Sequence, residues 1–180
     1  QFGTEFFGDA SCNDDIDLLL MIKKIFEKLN LTDIELTINT IGSAADRRNY
    51  SQELITYFKS YNEELSDAQR NTLIKNPMRL LDSKDSQLKA VIESAPPITD
   101  FLNQESLANF NIIRDRLDKL QIPYKHDPKL VRGLDYYNDL VFEWKTDKLG
   151  AQDAVCAGGR YDNLCETIGE KHVPSVGFAM

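Results

Sequence analysis

The residues best suited to chemistry stand in two short runs. In the first, Arg-Gly-Leu-Asp-Tyr-Tyr at 132–137, a guanidinium follows apolar Leu130 and Val131 and precedes a strand-like run that ends at Trp144. A guanidinium does not discharge itself by losing a proton, so Arg132 on such an approach needs an anion. Two partners are open. Asp135 makes a plain structural ion pair, whereas a ligand carboxylate or phosphate would be gripped bidentately by the planar fork, which a lysine lacks. In the second run, Ala-Gly-Gly-Arg-Tyr-Asp at 157–162, two glycines let another group come close to the backbone just before Arg160 and Tyr161. The spacing is neither that of a P-loop nor that of a dinucleotide fingerprint. Ser-Val-Gly-Phe-Ala-Met at 175–180 is a small-residue strand of the kind that floors a pocket, and close sheet packing explains it equally well.

These runs need strands to hold them. Gln1 to Gly8, rich in Phe, reads as a strand closing at Gly8-Asp9. Asn13 or Asp14 then caps a helix with Leu18, Ile22, Ile25 and Leu29 at helical spacing and acids at its positive end. Ile34–Ile38 alternates as a strand, and Gly42-Ser43 changes the texture. From 44 to about 122 the periodicity is helical, with Leu54, Tyr57, Phe58 and Tyr61 on one face, then Leu107, Phe110, Ile113 or Arg114, Leu117 and Leu120 on another. Prolines at 77, 96 and 97 separate its helices. After Pro123 strands return at 136–144 and 154–159, with a short helix from Asp162 and a last strand near 175–180. The expected fold is α+β, an antiparallel-sheet domain (1–43 and 123–180) interrupted by a small all-helical insertion domain (44–122).

Composition narrows the class. The net charge of −8 argues against nonspecific coating of nucleic acid, although residues 44–122 carry 11 basic and 12 acidic side chains and leave room for a local basic face at Arg114, Arg116 and Lys119. A solvated helix face explains those three residues more simply. Three cysteines without scaffold spacing suit a reducing cytosol, and Cys156, Cys165 and His172 lack the paired spacing of a zinc site. No stretch approaches the ~20 apolar residues that span a bilayer, and no signal peptide is visible.

Taken in order and with their gaps, "LVRGLDYY", "AGGRYDNL" and "SVGFAM" closely resemble the two histidine-specific signatures and the start of the third class II motif of histidyl-tRNA synthetases. "QFGTEFFG" resembles the strand that ends the second class II motif of that family. "NTIGS" and "NPMRLLDSK" look like the entry to, and the middle of, its bacterial-type helical insertion domain.

The resemblance implies a partial class II synthetase catalytic core in which histidine and ATP condense to histidyl-adenylate before transfer to tRNA(His). It implies that Glu5 and Tyr137 read the imidazole, that Gln1 lies near the amino-acid backbone and that Tyr161 lines the same pocket. Arg132 becomes the catalytic residue, placed between the histidine carboxylate and the ATP α-phosphate, with Asp135 and Tyr136 supporting and packing. ATP enters as a complex with Mg2+ and no tightly bound metal is implied. A homodimer of the full-length protein, in the cytoplasm and away from membranes, completes the expectation. The first class II motif, the arginine of the second, the rest of the third and the anticodon-binding domain have no counterpart among the 180 residues. The chain is therefore expected to be part of a longer enzyme, and to be inactive or incompletely folded alone because its terminal strands lack neighbours. Two other readings stay open. One is the histidine-sensing regulatory subunit of ATP phosphoribosyltransferase, a non-catalytic relative disfavoured by the helical insert and by Arg132. The other is a binding-only role in which the insert docks on a tRNA acceptor stem.

Overall fold

Period-2 alternation and β-branched or aromatic content set the strands, and a computed structural model that describes residues 1–149, 153–169 and 171–180 shows how they pair. Strands β1 (Gly3–Phe7), β2 (Glu35–Thr40), β3 (Tyr124–His126), β4 (Asn138–Lys145), β5 (Ala154–Arg160) and β6 (Ser175–Ala179) form one sheet in the order β1-β6-β5-β4-β2-β3. All neighbours are antiparallel except β2 and β3. β3 is too short for alternation to reveal it. Of the two terminal strands only β1 lies at an edge. β6 is paired on both sides, contrary to the expectation that both would lack neighbours.

Helix α1 (Asn13–Lys28) starts after Cys12, which makes no side-chain cap; Ser11 Oγ accepts from the Asn13 N–H instead (3.3 Å). Leu18, Leu19 and Ile22 are buried on one face of the sheet together with Leu36, Ile38, Leu140, Phe142, Trp144 and Phe178. The helices between β2 and β3 are α2 (Ala44–Lys59), α3 (Asp67–Lys75), α4 (Lys89–Ser94) and α5 (Gln104–Lys119), with 3-10 turns at Pro77–Asp82 and Ile98–Phe101. The first three helices and both turns surround Tyr50, Leu54, Phe58, Leu80, Leu88 and Ile98 over the opposite face of the sheet. α5, which the sequence periodicity groups with them, instead packs Phe110, Ile113 and Leu117 against α1 and the sheet. We therefore propose that the helical insert proper runs from 44 to about 103. Its entry and exit meet at one side chain. Asp46 accepts from Ser43 N (2.9 Å) in a capping box, and from Asn103 N (3.0 Å) and Ser106 Oγ (3.1 Å).

The insert's apolar cluster does not close on itself. It continues into Leu130, Val131, Tyr137, Val141 and Tyr161, so the insert and the residues of the two chemical runs share one core. After β5 comes the short helix α6 (Leu164–Ile168).

Candidate active site

Residues directly opposite each other across a sheet point to the same face, so the register defines the floor of a site. One row reads Glu5, Gly177, Gly159, Val141 and Asn39 across β1, β6, β5, β4 and β2. The next reads Gly3, Ala179, Ala157, Glu143 and Thr37. The middle of this face is thus glycine and alanine, with carboxylates at both sides. By alternation Gln1 lies on the same face beyond Gly3, where it is exposed.

The glycines are required by groups of the protein itself. A Cβ at Gly177 would stand 1.5 Å from Glu5 Oε2, and one at Gly159 would stand 2.4 Å from Leu140 O and 3.0 Å from Tyr137 Cδ1. The close approach expected at Gly158-Gly159 is therefore made by the backbone oxygens of Gly177 and Leu140 and, behind them, by the rings of Phe142 and Tyr137. Over this floor Tyr161 donates its hydroxyl to Glu5. Tyr137, buried at 8% exposure, packs edge-on against Tyr161 with centroids 6.3 Å apart and lies 4.7 Å from Tyr136. Burial, reinforced by the nearby Glu5 carboxylate, pushes the Tyr161 hydroxyl well above the ordinary phenol range; burial and the Tyr136 hydroxyl do the same to Tyr137. Both phenols keep their protons at neutral pH and act as donors.

Arg132 finds its anion in Glu143, not in Asp135. Strand alternation turns Glu143 onto the floor between Phe142 and Trp144, which face the other way, and its side chain is only 13% exposed. Such a carboxylate needs compensation, and Arg132 and Lys145 Nζ (2.7 Å) both supply it. Asp135 is exposed and turns toward the insert, accepting from Asn76 Nδ2 at 2.5 Å. Among the described residues Arg132 Nε is buried without a hydrogen-bond partner, so one donor of this guanidinium is unsatisfied. Asn39 Nδ2 donates to Leu130 O (2.9 Å) and so fixes the approach to Arg132.

The second run divides between the two faces. Tyr161 joins the floor, but Arg160 points through to α1. There its Nε lies 3.1 Å from both oxygens of Asp15, its Nη1 lies 3.1 Å from Asp162 Oδ1, and its Nη2 donates to Ser11 O (2.9 Å). The structure thus brings Glu5, Tyr137 and Tyr161 together, sets Arg132 beside Glu143 and places Gln1 on the same face. Glu143 was missed from the sequence. Its signal is the alternation Val141, Glu143 against Phe142, Trp144, which puts an acid on the same face as Gly159. Among the described residues no group of three His, Cys, Asp or Glu side chains is arranged to hold a metal ion. Arg114, from the expected basic face, lies 5.8 Å over the Phe110 ring and meets Tyr124 Oη at 3.4 Å.

The signature of the family described as histidyl-tRNA synthetase matches residues 1–180. The chain is 46% identical to a histidine–tRNA ligase of Hydrogenovibrio crunogenus over 180 residues, which are 100% of this chain and 42% of that protein. It is 44% identical to one of Marinomonas sp. over 181 residues, 100% of this chain and 43% of that protein. An apo histidyl-tRNA synthetase structure from S. aureus superposes with a TM-score of 0.76 at 35% identity, covering 98% of this chain and 43% of that one. A structure titled as an ATP phosphoribosyltransferase regulatory subunit/histidyl-tRNA synthetase, from Bacillus halodurans, shares the fold at a TM-score of 0.61 and 23% identity, covering 98% and 49%. The chain spans less than half the length of the ligases it matches.

Proposed function

The chain belongs to the histidyl-tRNA synthetase family, and from that premise we propose that, within a full-length protein, it forms the amino-acid-binding part of a histidine–tRNA ligase. The observation that carries this reading is the convergence of the Glu5 carboxylate with the Tyr161 and Tyr137 phenols over a floor of glycine and alanine. A neutral imidazole has one N–H donor and one acceptor nitrogen, and a carboxylate with a protonated phenol matches both. Such a pocket rejects amino acids that leave its polar groups unpaired, by ~10⁴-fold or more. Gln1 sits toward the amino-acid backbone.

Arg132 is then the catalytic residue for adenylation. A carboxylate oxygen of histidine attacks the α-phosphorus of ATP in line, the bond to the bridging oxygen breaks and pyrophosphate leaves. Arg132, through its unpaired Nε and the fork now held by Glu143, stabilises the charge on the α-phosphate and on the attacking carboxylate. No proton moves in this step. Mg2+ arrives with ATP as part of the substrate. The same protein passes the histidyl group to tRNA(His), with the insert toward the tRNA, and works as a cytoplasmic homodimer.

Histidine-dependent exchange between pyrophosphate and ATP, measured on the full-length protein with the other amino acids as controls, tests this reading. Exchange with histidine alone, abolished by Arg132→Ala, is the expected result. Histidine binding without exchange would instead favour a histidine-sensing, non-catalytic protein.

A further inference from the structure

The loop that carries Arg132 and Tyr137 belongs to no strand or helix between residues 131 and 137, and Gly133, Leu134 and Asp135 are exposed. Nothing lies within 4 Å of where a Gly133 Cβ would stand, so close packing does not hold the exposed middle of this stretch, although Val131 and Tyr137 at its ends are buried in the core shared with the insert. Polar contacts from the insert hold the middle. Arg79, in the 3-10 turn Pro77–Asp82, donates to Gly133 O and lies 3.8 Å from Asp135 Oδ1, the oxygen that also accepts from Asn76 Nδ2 at 2.5 Å. Arg47, in α2, donates to Tyr137 O and lies 3.4 Å from Gly42 O. Two insert arginines thus hold the loop by two backbone carbonyls, one adjoining Arg132 and the other on Tyr137 itself. Insert and loop border a cleft of about 500 Å³ lined by Arg47, Gln52, Asn76, Arg132 and Tyr137.

We propose that Arg79 is a positioning residue for Arg132 and Arg47 one for Tyr137, so that the helical insert takes part in amino-acid activation. The inference rests on the roles of Arg132 and Tyr137 given above. Because a guanidinium donating to a carbonyl fixes the adjoining peptide plane, its loss lets the loop drift by an ångström or so without unfolding the sheet. A misplacement of that size costs a reacting group about 10²-fold. The two ends carry different duties, so the two losses differ in kind. Freeing the Arg132 end acts on the transition state, whereas freeing the Tyr137 end acts on histidine recognition.

The test compares the full-length protein with its Arg79→Ala, Arg79→Lys and Arg47→Ala variants. Pyrophosphate exchange gives kcat and histidine KM, calorimetry gives histidine binding and thermal unfolding gives Tm. Arg79→Ala is expected to lower kcat about 10- to 100-fold with histidine KM within about threefold. Arg79→Lys is expected to recover part of that loss, since an ammonium reaches Gly133 O but does not bridge to Asp135 as well. Arg47→Ala is expected to raise histidine KM about tenfold, with a smaller fall in kcat. An unchanged kcat in Arg79→Ala would overturn the proposal. So would a joint loss of histidine binding and Tm that the lysine variant fails to recover, because Arg79 would then only brace the fold. Absence of histidine-dependent exchange in the unsubstituted protein would sink the functional reading itself and is seen independently of any variant.

Discussion

The carboxylate of Glu5 occupies the space that a side chain at Gly177 would need: a Cβ built there stands 1.5 Å from Oε2. The obstacle is the free end of a side chain, which can swing away. Gly177→Ala is therefore expected to leave stability within about 1 kcal/mol of the original while weakening histidine binding at least tenfold, since it evicts the group proposed to read the imidazole. Gly158→Ala makes the informative contrast. Its Cβ would stand 2.1 Å from Gly177 O and 2.9 Å from Phe178 Cα, which are backbone atoms of the next strand. That variant is expected to lose about 1–3 kcal/mol or more by overpacking. Calorimetric titration with histidine beside urea unfolding separates the two, and equal binding by Gly177→Ala and the original would count against Glu5.

Arg160 is expected to matter for stability and not for chemistry. It neutralises Asp15, which is 1% exposed and whose carboxyl is pushed up by burial and pulled back by this arginine. Arg160→Met leaves that carboxyl and Asp162 without their cation and is expected to cost about 3–5 kcal/mol. Adding Asp15→Leu should restore part of the loss. Chemical denaturation measures both, and exchange kinetics per folded molecule should be unchanged. A selective fall in kcat would show that the far side of the sheet does reach the chemistry.

Acid should loosen the joint between insert and sheet. Burial opposes ionisation of Asp46, but the hydrogen bonds from Ser43, Ser106 and Asn103 outweigh it and hold the carboxyl below its ordinary value. A carboxyl depressed in the folded state contributes stability that is complete above the unfolded value of about 3.9 and is lost as pH falls through the folded one. Asp46→Asn is therefore expected to be less stable by about 1–3 kcal/mol at neutral pH and to lose less on acidification below about pH 4. Unfolding free energies of the two proteins from pH 7 to pH 2 should converge. Parallel curves would assign the acid sensitivity to other groups.

Much of this was legible in the sequence where one physical signal dominates. The strand at β4 and the helical period of α1 both reappear, the first because apolar residues are buried on both faces of the sheet there and the second because α1 packs one side on a dry core. Leu29, at the end of the same period, is 59% exposed and stands just past the last residue of α1. The assignment of α5 failed to be legible for a different reason: a helical stripe of Phe110, Ile113 and Leu117 states that a helix is buried on one side but not against which partner. Likewise the sequence offers Arg132 either Asp135 or a ligand anion, while the sheet supplies Glu143 from the next strand. Glycines in "AGGRYD" announce a close approach, yet only the register shows that the neighbouring strands' Gly177 O and Leu140 O make it, together with the Phe142 and Tyr137 rings.

The Asp46 carboxylate, which receives the N–H groups of both Ser43 and Asn103, marks a splice point. The chain leaves the sheet and comes back within reach of one side chain, and the entropy of closing such an excursion grows only with the logarithm of its length. Descendants of this sequence are thus free to lengthen, trim or exchange the excursion without re-registering a single strand. What limits that freedom lies in the shared core and on the far rim. Any replacement module must again cover Val131, Tyr137 and Tyr161 and, on the roles proposed for Arg79 and Arg47, deliver a cation to Gly133 O and another to Tyr137 O.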